Sequence, residues 1–121
     1  MTLADTSVWI DHFRHGNARL ERLLEDGQVV IHPMILGELA CGHLPQRAET
    51  LRLLGHLPRV PQAPDALVLQ SVDARRFRGA GIGWIDAHLL AASVLSAVPL
   101  WTLDRRLALL RSEERRVGKE C

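Results

Sequence analysis

Apolar positions along the chain recur with two periods, and each change of period predicts a new element. Leu3 and Ala4 form a short apolar lead-in that ends at Asp5, which predicts an opening strand. Thr6 and Ser7 are natural N-cap residues, and Val8, Trp9, Ile10 and Phe13 follow at helical spacing. Gly16-Asn17 closes that helix. Residues 18–26 predict a second short amphipathic helix, stopped at Gly27. Gln28 to His32 is a β-branched run and predicts a buried strand. Pro33 suits the first turn of a helix that runs through 34–43, to about Gly42. Residues 46–56 predict a further helix. Residues 58–64 are turn-rich, around a very short strand at Arg59-Val60. Asp65 is placed to cap a helix running to about Phe77, and residues 79–83 are a glycine loop. Residues 84–97 predict a long, mostly buried helix, 98–102 a strand, and Asp104 to Leu110 the start of a last helix. Strands alternate with helices and no hairpin signal appears, so the fold class is α/β with a short, mainly parallel sheet. Helices outnumber strands, as in a three-layer α/β/α sandwich.

At 121 residues and 47% apolar, the chain suits one domain with a sizeable core. No run approaches the ~18 apolar residues of a membrane span. Met1 to Asp5 has no basic stretch, so neither a signal peptide nor a membrane association is expected. Two cysteines, Cys41 and Cys121, do not make a disulfide framework, and a reducing cytoplasm is the expected compartment. The net charge of +1 supplies no global field for nucleic acid. Residues 111–121, RSEERRVGKEC, differ from the rest. They hold the only lysine, Lys119, and a single aliphatic residue, Val117. They also match an in-frame translation of a common sequencing adapter. The expected organisation is therefore a domain over residues 1–110 and a non-native tail over 111–121 in place of the natural C-terminus; an ordinary charged tail is the plainer alternative.

Four carboxylates stand in unusual places. Asp5 and Asp104 fall where strands end, and ligands of open α/β sheets sit outside the carboxyl ends of strands. Asp86 opens a helix that is otherwise apolar on nearly every side. Glu38 is flanked by Ile35, Leu36, Leu39 and Ala40. No Lys or Arg lies three or four residues from Glu38 or Asp86, and an unpaired buried carboxylate is costly. One resolution is that all four face a single cleft and share a hard divalent cation, Mg²⁺ or Mn²⁺. Such an ion can activate water for phosphoryl displacement. Local jobs compete with that reading: Asp5 and Asp104 could each cap the helix that follows, and Asp86 could cap around Gly83.

Asp5-Thr6-Ser7-Val8-Trp9-Ile10-Asp11 resembles the opening of the VapC-type PIN-domain toxins. Gly37-Glu38-Leu39 within Pro33 to Gly42 is similar to their second acidic motif. Gly81 to Ala87 resembles the third, and Leu100 to Asp104 the fourth. The motifs run from about Leu3 to Leu110 in the family's order and spacing. The resemblance implies a PIN-like sandwich and a metal-dependent endoribonuclease, the toxin of a type II toxin–antitoxin pair. It implies Asp5 and Asp86 as main Mg²⁺ or Mn²⁺ ligands, with Asp104 a further ligand, direct or through water. It gives Glu38 the attacking water, and Ser7 and Thr102 a supporting role through their hydroxyls. It also implies an RNA substrate, inhibition by a cognate antitoxin and a homodimer. The alternative is a catalytically impaired, truncated PIN domain that only binds the antitoxin, destabilised by its altered end.

Other features carry less. Arg75, Arg76 and Arg78 are the densest basic cluster outside the tail; they suit RNA backbone contacts or a solvated face equally. The three tryptophans lie in apolar contexts and read as core, as does Cys41. The six histidines show no zinc spacing. A receiver-type phosphotransfer domain would need a mid-chain acceptor Asp and a late Lys, and a haloacid-dehalogenase-like phosphatase would need Asp-x-Asp where this chain has Asp5-Thr6-Ser7.

Overall fold

The computed structural model describes residues 1–74 and 79–120, with residues 113–120 as backbone alone. Its elements are β1 (Thr2–Ala4), α1 (Thr6–His15), α2 (Ala18–Glu25), β2 (Val29–Val30), α3 (Pro33–Cys41), α4 (Arg47–Gly55), α5 (Asp65–Ala74), α6 (Trp84–Ser96), β3 (Leu100–Trp101) and α7 (Arg105–Glu120). The three strands form one parallel sheet in the order β2-β1-β3. β1 is central: Leu3 lies opposite Val30 on one side and Leu100 on the other. Helices pack around this sheet, the α/β sandwich that the alternation of periods implies. No helix among the described residues is long and apolar enough to cross a membrane.

The sheet is built of very short strands. The run Gln28–His32 contributes two ladder residues, and Ile31 adds only an isolated parallel bridge to Arg59. That bridge, with Val60 N–H donating to Ile31 C=O at 3.0 Å, is all there is of the strand expected at Arg59-Val60. In residues 98–102, Pro99 has no N–H for the ladder, and Thr102 leaves it to turn its hydroxyl toward Asp5. Leu3, Leu20, Ile31, Ile35, Leu89, Leu100 and Leu107 are fully buried and form the centre of the core.

Several local expectations are corrected. The cap of α1 is Asp5, one residue before Thr6, because its carboxylate accepts the Ser7 and Val8 amides. Asp65 is the first helical residue of α5 and not its cap; the Pro64 carbonyl accepts from the Leu67 and Val68 amides. α5 is described to Ala74, and Phe77 lies outside the described residues. The last helix, expected to start over Asp104 to Leu110, is α7 from Arg105, capped by Asp104 and described as backbone to Glu120. Trp9 is core, but Trp84 is 40% exposed, and Cys41 is an exposed free thiol at the end of α3. Both sit near helix ends, where the apolar face runs out.

Candidate active site

β1 and β3 end side by side, and each is followed by a helix. Asp5 N–H donates to the Trp101 carbonyl at 3.0 Å, which locks the two strand ends together. The residues just past them, Asp5 and Asp104, therefore share one end of the sheet.

Asp5 is buried. Its Oδ1 accepts from the Ser7 amide at 3.0 Å and from the Ser7 hydroxyl. Its Oδ2 accepts from the Thr102 hydroxyl at 2.6 Å. The two hydroxyls are themselves anchored. Ser7 Oγ accepts from the Leu103 amide at 3.0 Å, and Thr102 Oγ1 from the Asp104 amide at 3.0 Å. Asp104 is exposed, and its Oδ1 accepts from the Arg106 and Leu107 amides at 2.9 and 3.2 Å, capping α7.

Asp86 is half-buried in the first turn of α6, three residues after its N-cap Gly83. The Gly83 backbone reaches its carboxylate, the return leg of a capping box. Glu38, on α3, faces solvent; Ile35 and Leu39 take the core side of that helix, so the buried setting expected from its apolar neighbours is corrected. The Thr6 hydroxyl donates to Glu38 Oε1 at 2.7 Å and ties α3 to the start of α1.

The local jobs open to Asp5, Asp86 and Asp104 are thus all performed. The four carboxylates nevertheless gather. Burial pushes the Asp86 carboxyl up from its ordinary range, the Gly83 hydrogen bond opposes this, and the charges of Asp5, Asp104 and Glu38 push it further up. Such coupling requires all four in one neighbourhood. The N-termini of α1, α6 and α7 lie beside these carboxylates, and the positive ends of their dipoles favour negative charge there. The donor set is all oxygen and anionic. No three His, Cys, Asp or Glu side chains among the described residues converge enough to hold a metal ion unaided. All-oxygen, anionic donors are the chemistry of a hard cation, and the described side chains as placed do not close a cage around one.

Thr6 is the site residue that sequence reasoning missed. At the sequence level it reads only as a cap, and its partner lies 32 positions away. Arg75, Arg76 and Arg78 lie outside the described residues. In the glycine loop, Gly79 and Gly81 adopt positive φ, and Arg106 Nη1 donates to the Gly81 carbonyl at 3.2 Å.

A PIN-domain family model matches residues 2–112, and the chain belongs to the PIN-domain family, as a VapC-type member. It is 44% identical over 108 residues to Ribonuclease VapC32 of Mycobacterium tuberculosis, strain CDC 1551 / Oshkosh, across 88% of this chain and 87% of that protein. The protein of the same name in strain ATCC 25618 / H37Rv shows the same identity and coverage.

Proposed function

We propose that this chain is an endoribonuclease that cuts RNA phosphodiester bonds with a divalent cation, as the toxin of a toxin–antitoxin pair. The observation that carries the reading is the meeting of Asp5, Glu38, Asp86 and Asp104 at three helix N-termini. The likeness to a ribonuclease over most of both chains supports it.

Asp5 and Asp86 would hold Mg²⁺ or Mn²⁺, with Asp104 a further ligand, directly or through water, and Glu38 near the same ion. When bound, the ion supplies charge neutralisation and a more acidic water. The chain's own residues do the rest. Ser7 and Thr102 fix both oxygens of Asp5, and Oδ2, which accepts from the Thr102 hydroxyl alone, keeps a lone pair for a ligand. Glu38 is the carboxylate placed to orient or deprotonate the attacking water, because it is open to solvent and held by Thr6 at one oxygen only. The helix N-termini offset part of the repulsion between this acidic site and a phosphate.

Arg75, Arg76 and Arg78 belong to the reading as RNA backbone contacts, supported by charge alone. A cognate antitoxin, a homodimer and a cytoplasmic setting belong to it through the family. The reading takes residues 1–110 as the working domain and residues 111–121 as a segment of foreign origin on compositional grounds; resequencing the coding locus tests that.

The experiment is cleavage of a total bacterial RNA pool with Mg²⁺, with Mn²⁺ and with chelator, by this chain and by Asp5→Asn. Metal-dependent cutting that disappears in Asp5→Asn is the expected result. Folded wild-type protein that leaves all RNA intact in both metals would overturn the reading.

A further inference from the structure

A cavity of about 360 Å³ opens between α1 and α3 and shares a wall with the site. That wall is the Thr6–Glu38 hydrogen bond. We propose that this cavity receives a nucleobase of the RNA strand next to the phosphate being cut; the proposal rests on the ribonuclease reading above.

The chemistry of the lining favours a flat, largely apolar group with a charged flank. Beyond Thr6 and Glu38, the walls are Ile10, Phe13, Leu39 and Leu44. The one polar hydroxyl on the wall is spent on Glu38, so nothing there demands a fully polar ligand. Phe13 packs against Trp9 with ring centroids 6.0 Å apart, which braces the aromatic side chain without burying it completely. A braced, accessible aromatic ring is the usual platform for an unstacked base, and it tolerates any base because each has a π-face.

Arg14 and His43 are exposed lining residues of the same cavity. Neither forms an ion pair among the described residues. A cation here lies beside the carboxylate quartet but belongs to a different wall. It suits the phosphate that follows the seated base, and it offsets the repulsion an RNA strand meets on approaching Glu38. The cavity is continuous with the site where the strand would be cut, so a base in it and a phosphate among the carboxylates belong to one strand.

Gly42 also lines the cavity, and it offers a clean way to fill it. Its φ is −97°, and an added Cβ meets only the Leu39 carbonyl, at an ordinary 3.7 Å. Gly42→Leu therefore introduces a side chain at the cavity wall without backbone strain and without a clash at its Cβ.

The test follows the methyl NMR signals of Ile10, Leu39 and Leu44 while the four nucleoside 5′-monophosphates are added to the full chain, without metal. The expected result is a saturable shift of those signals, weakened at least tenfold in Gly42→Leu and several-fold in Arg14→Ala. Loss of fold in Gly42→Leu would show in the same spectrum, and Arg14→Ala, at an exposed position, then carries the comparison. No shift, or an equal shift in wild type and variants, overturns the proposal. So does a response of these methyls to an antitoxin segment but not to nucleotides. RNA cleavage assays separate the two readings. Cutting by wild type with silent methyls sinks the base pocket alone. Responsive methyls without cutting sink the ribonuclease and leave a nucleotide site.

Discussion

Asp5 shows how one residue is held for chemistry and structure at once. It caps α1, and both its oxygens are fixed by hydroxyls that are anchored in turn by the Leu103 and Asp104 amides. Thr102→Val removes the partner of Oδ2 while keeping shape. A buried acceptor losing its donor costs about 1–3 kcal/mol, and loss of a group that orients a metal ligand typically lowers activity about 10–100-fold. Urea unfolding and RNA cleavage measured together should show both losses; a variant that loses neither would show that the Ser7 and Val8 contacts suffice to position Asp5. Asp86 carries the electrostatic side of the same site. Its carboxyl is raised by burial first and by three like charges after. In metal-free protein, Asp104→Asn should bring the Asp86 titration down toward the ordinary carboxylate range, read by carbon NMR of the side chain. An unchanged titration would mean that the Asp104 charge does not reach Asp86, leaving burial, Asp5 and Glu38 to raise it. Much of this was legible in the sequence, because Asp5, Asp86 and Asp104 sit at fixed offsets from strand ends and helix starts. The partner of Thr6 was not, because a hydroxyl beside a helix cap gives no sign of which distant carboxylate it meets.

The elements around the site were legible where periodicity is long. α1, α3 and α6 lie close to where apolar spacing puts them, since 9–13 residues of helical period leave little ambiguity. The strands expected at 28–32 and 98–102 are in the expected places but shorter, as β2 and β3, whereas β1 is one residue longer than its apolar lead-in. A strand of two or three residues, such as β2 or β3, is decided by which neighbours offer ladder partners, and that information is not local. The loop before α6 shows in the sequence only as a glycine loop over residues 79–83. It is more constrained than that. Gly81 has φ +83°, and a Cβ there would meet Arg106 Cδ and Nη1 at 3.1 Å. Gly81→Ala should therefore carry two costs: about 1–2 kcal/mol for the left-handed backbone, and displacement of Arg106 from the Gly81 carbonyl. A double-mutant cycle with Arg106→Ala separates them, because residues in contact do not add. The pair should be less destabilised than the sum of its singles. Strict additivity would mean that the contact between loop and α7 contributes nothing.

At the scale of the whole molecule, the centre of the protein carries a titratable group that the site does not use. His32 follows β2, caps α3 by accepting the Met34 amide at Nδ1 (3.0 Å), and is fully buried. Its ring lies 6.0 Å, centroid to centroid, from that of His88 on α6, which is also fully buried. His88 Nε2 is 3.2 Å from Asp65 Oδ1 without the alignment of a hydrogen bond, so the pair joins α3, α5 and α6. Because Nδ1 accepts, the His32 proton sits on Nε2, which has no protein partner. Burial, and after it the proximity of His88, pull the His32 pKa from 6.5 down to about 4. The unfolded chain therefore takes up this proton at a higher pH than the folded protein does. Stability from this group is complete above about pH 6.5 and is lost progressively as pH falls toward 4, by roughly 3 kcal/mol in all. Asp86, raised in the folded state, acts with the opposite sign. A comparison that leaves Asp86 alone cancels it. His32→Asn keeps an acceptor for the Met34 amide and removes the titration. Urea unfolding of both proteins from pH 7 to pH 4 should give a gap that changes by about 3 kcal/mol in favour of His32→Asn as pH falls. Parallel curves across that range would mean that the folded protein accommodates a proton on His32, by opening the core around the histidine pair or by admitting water to it.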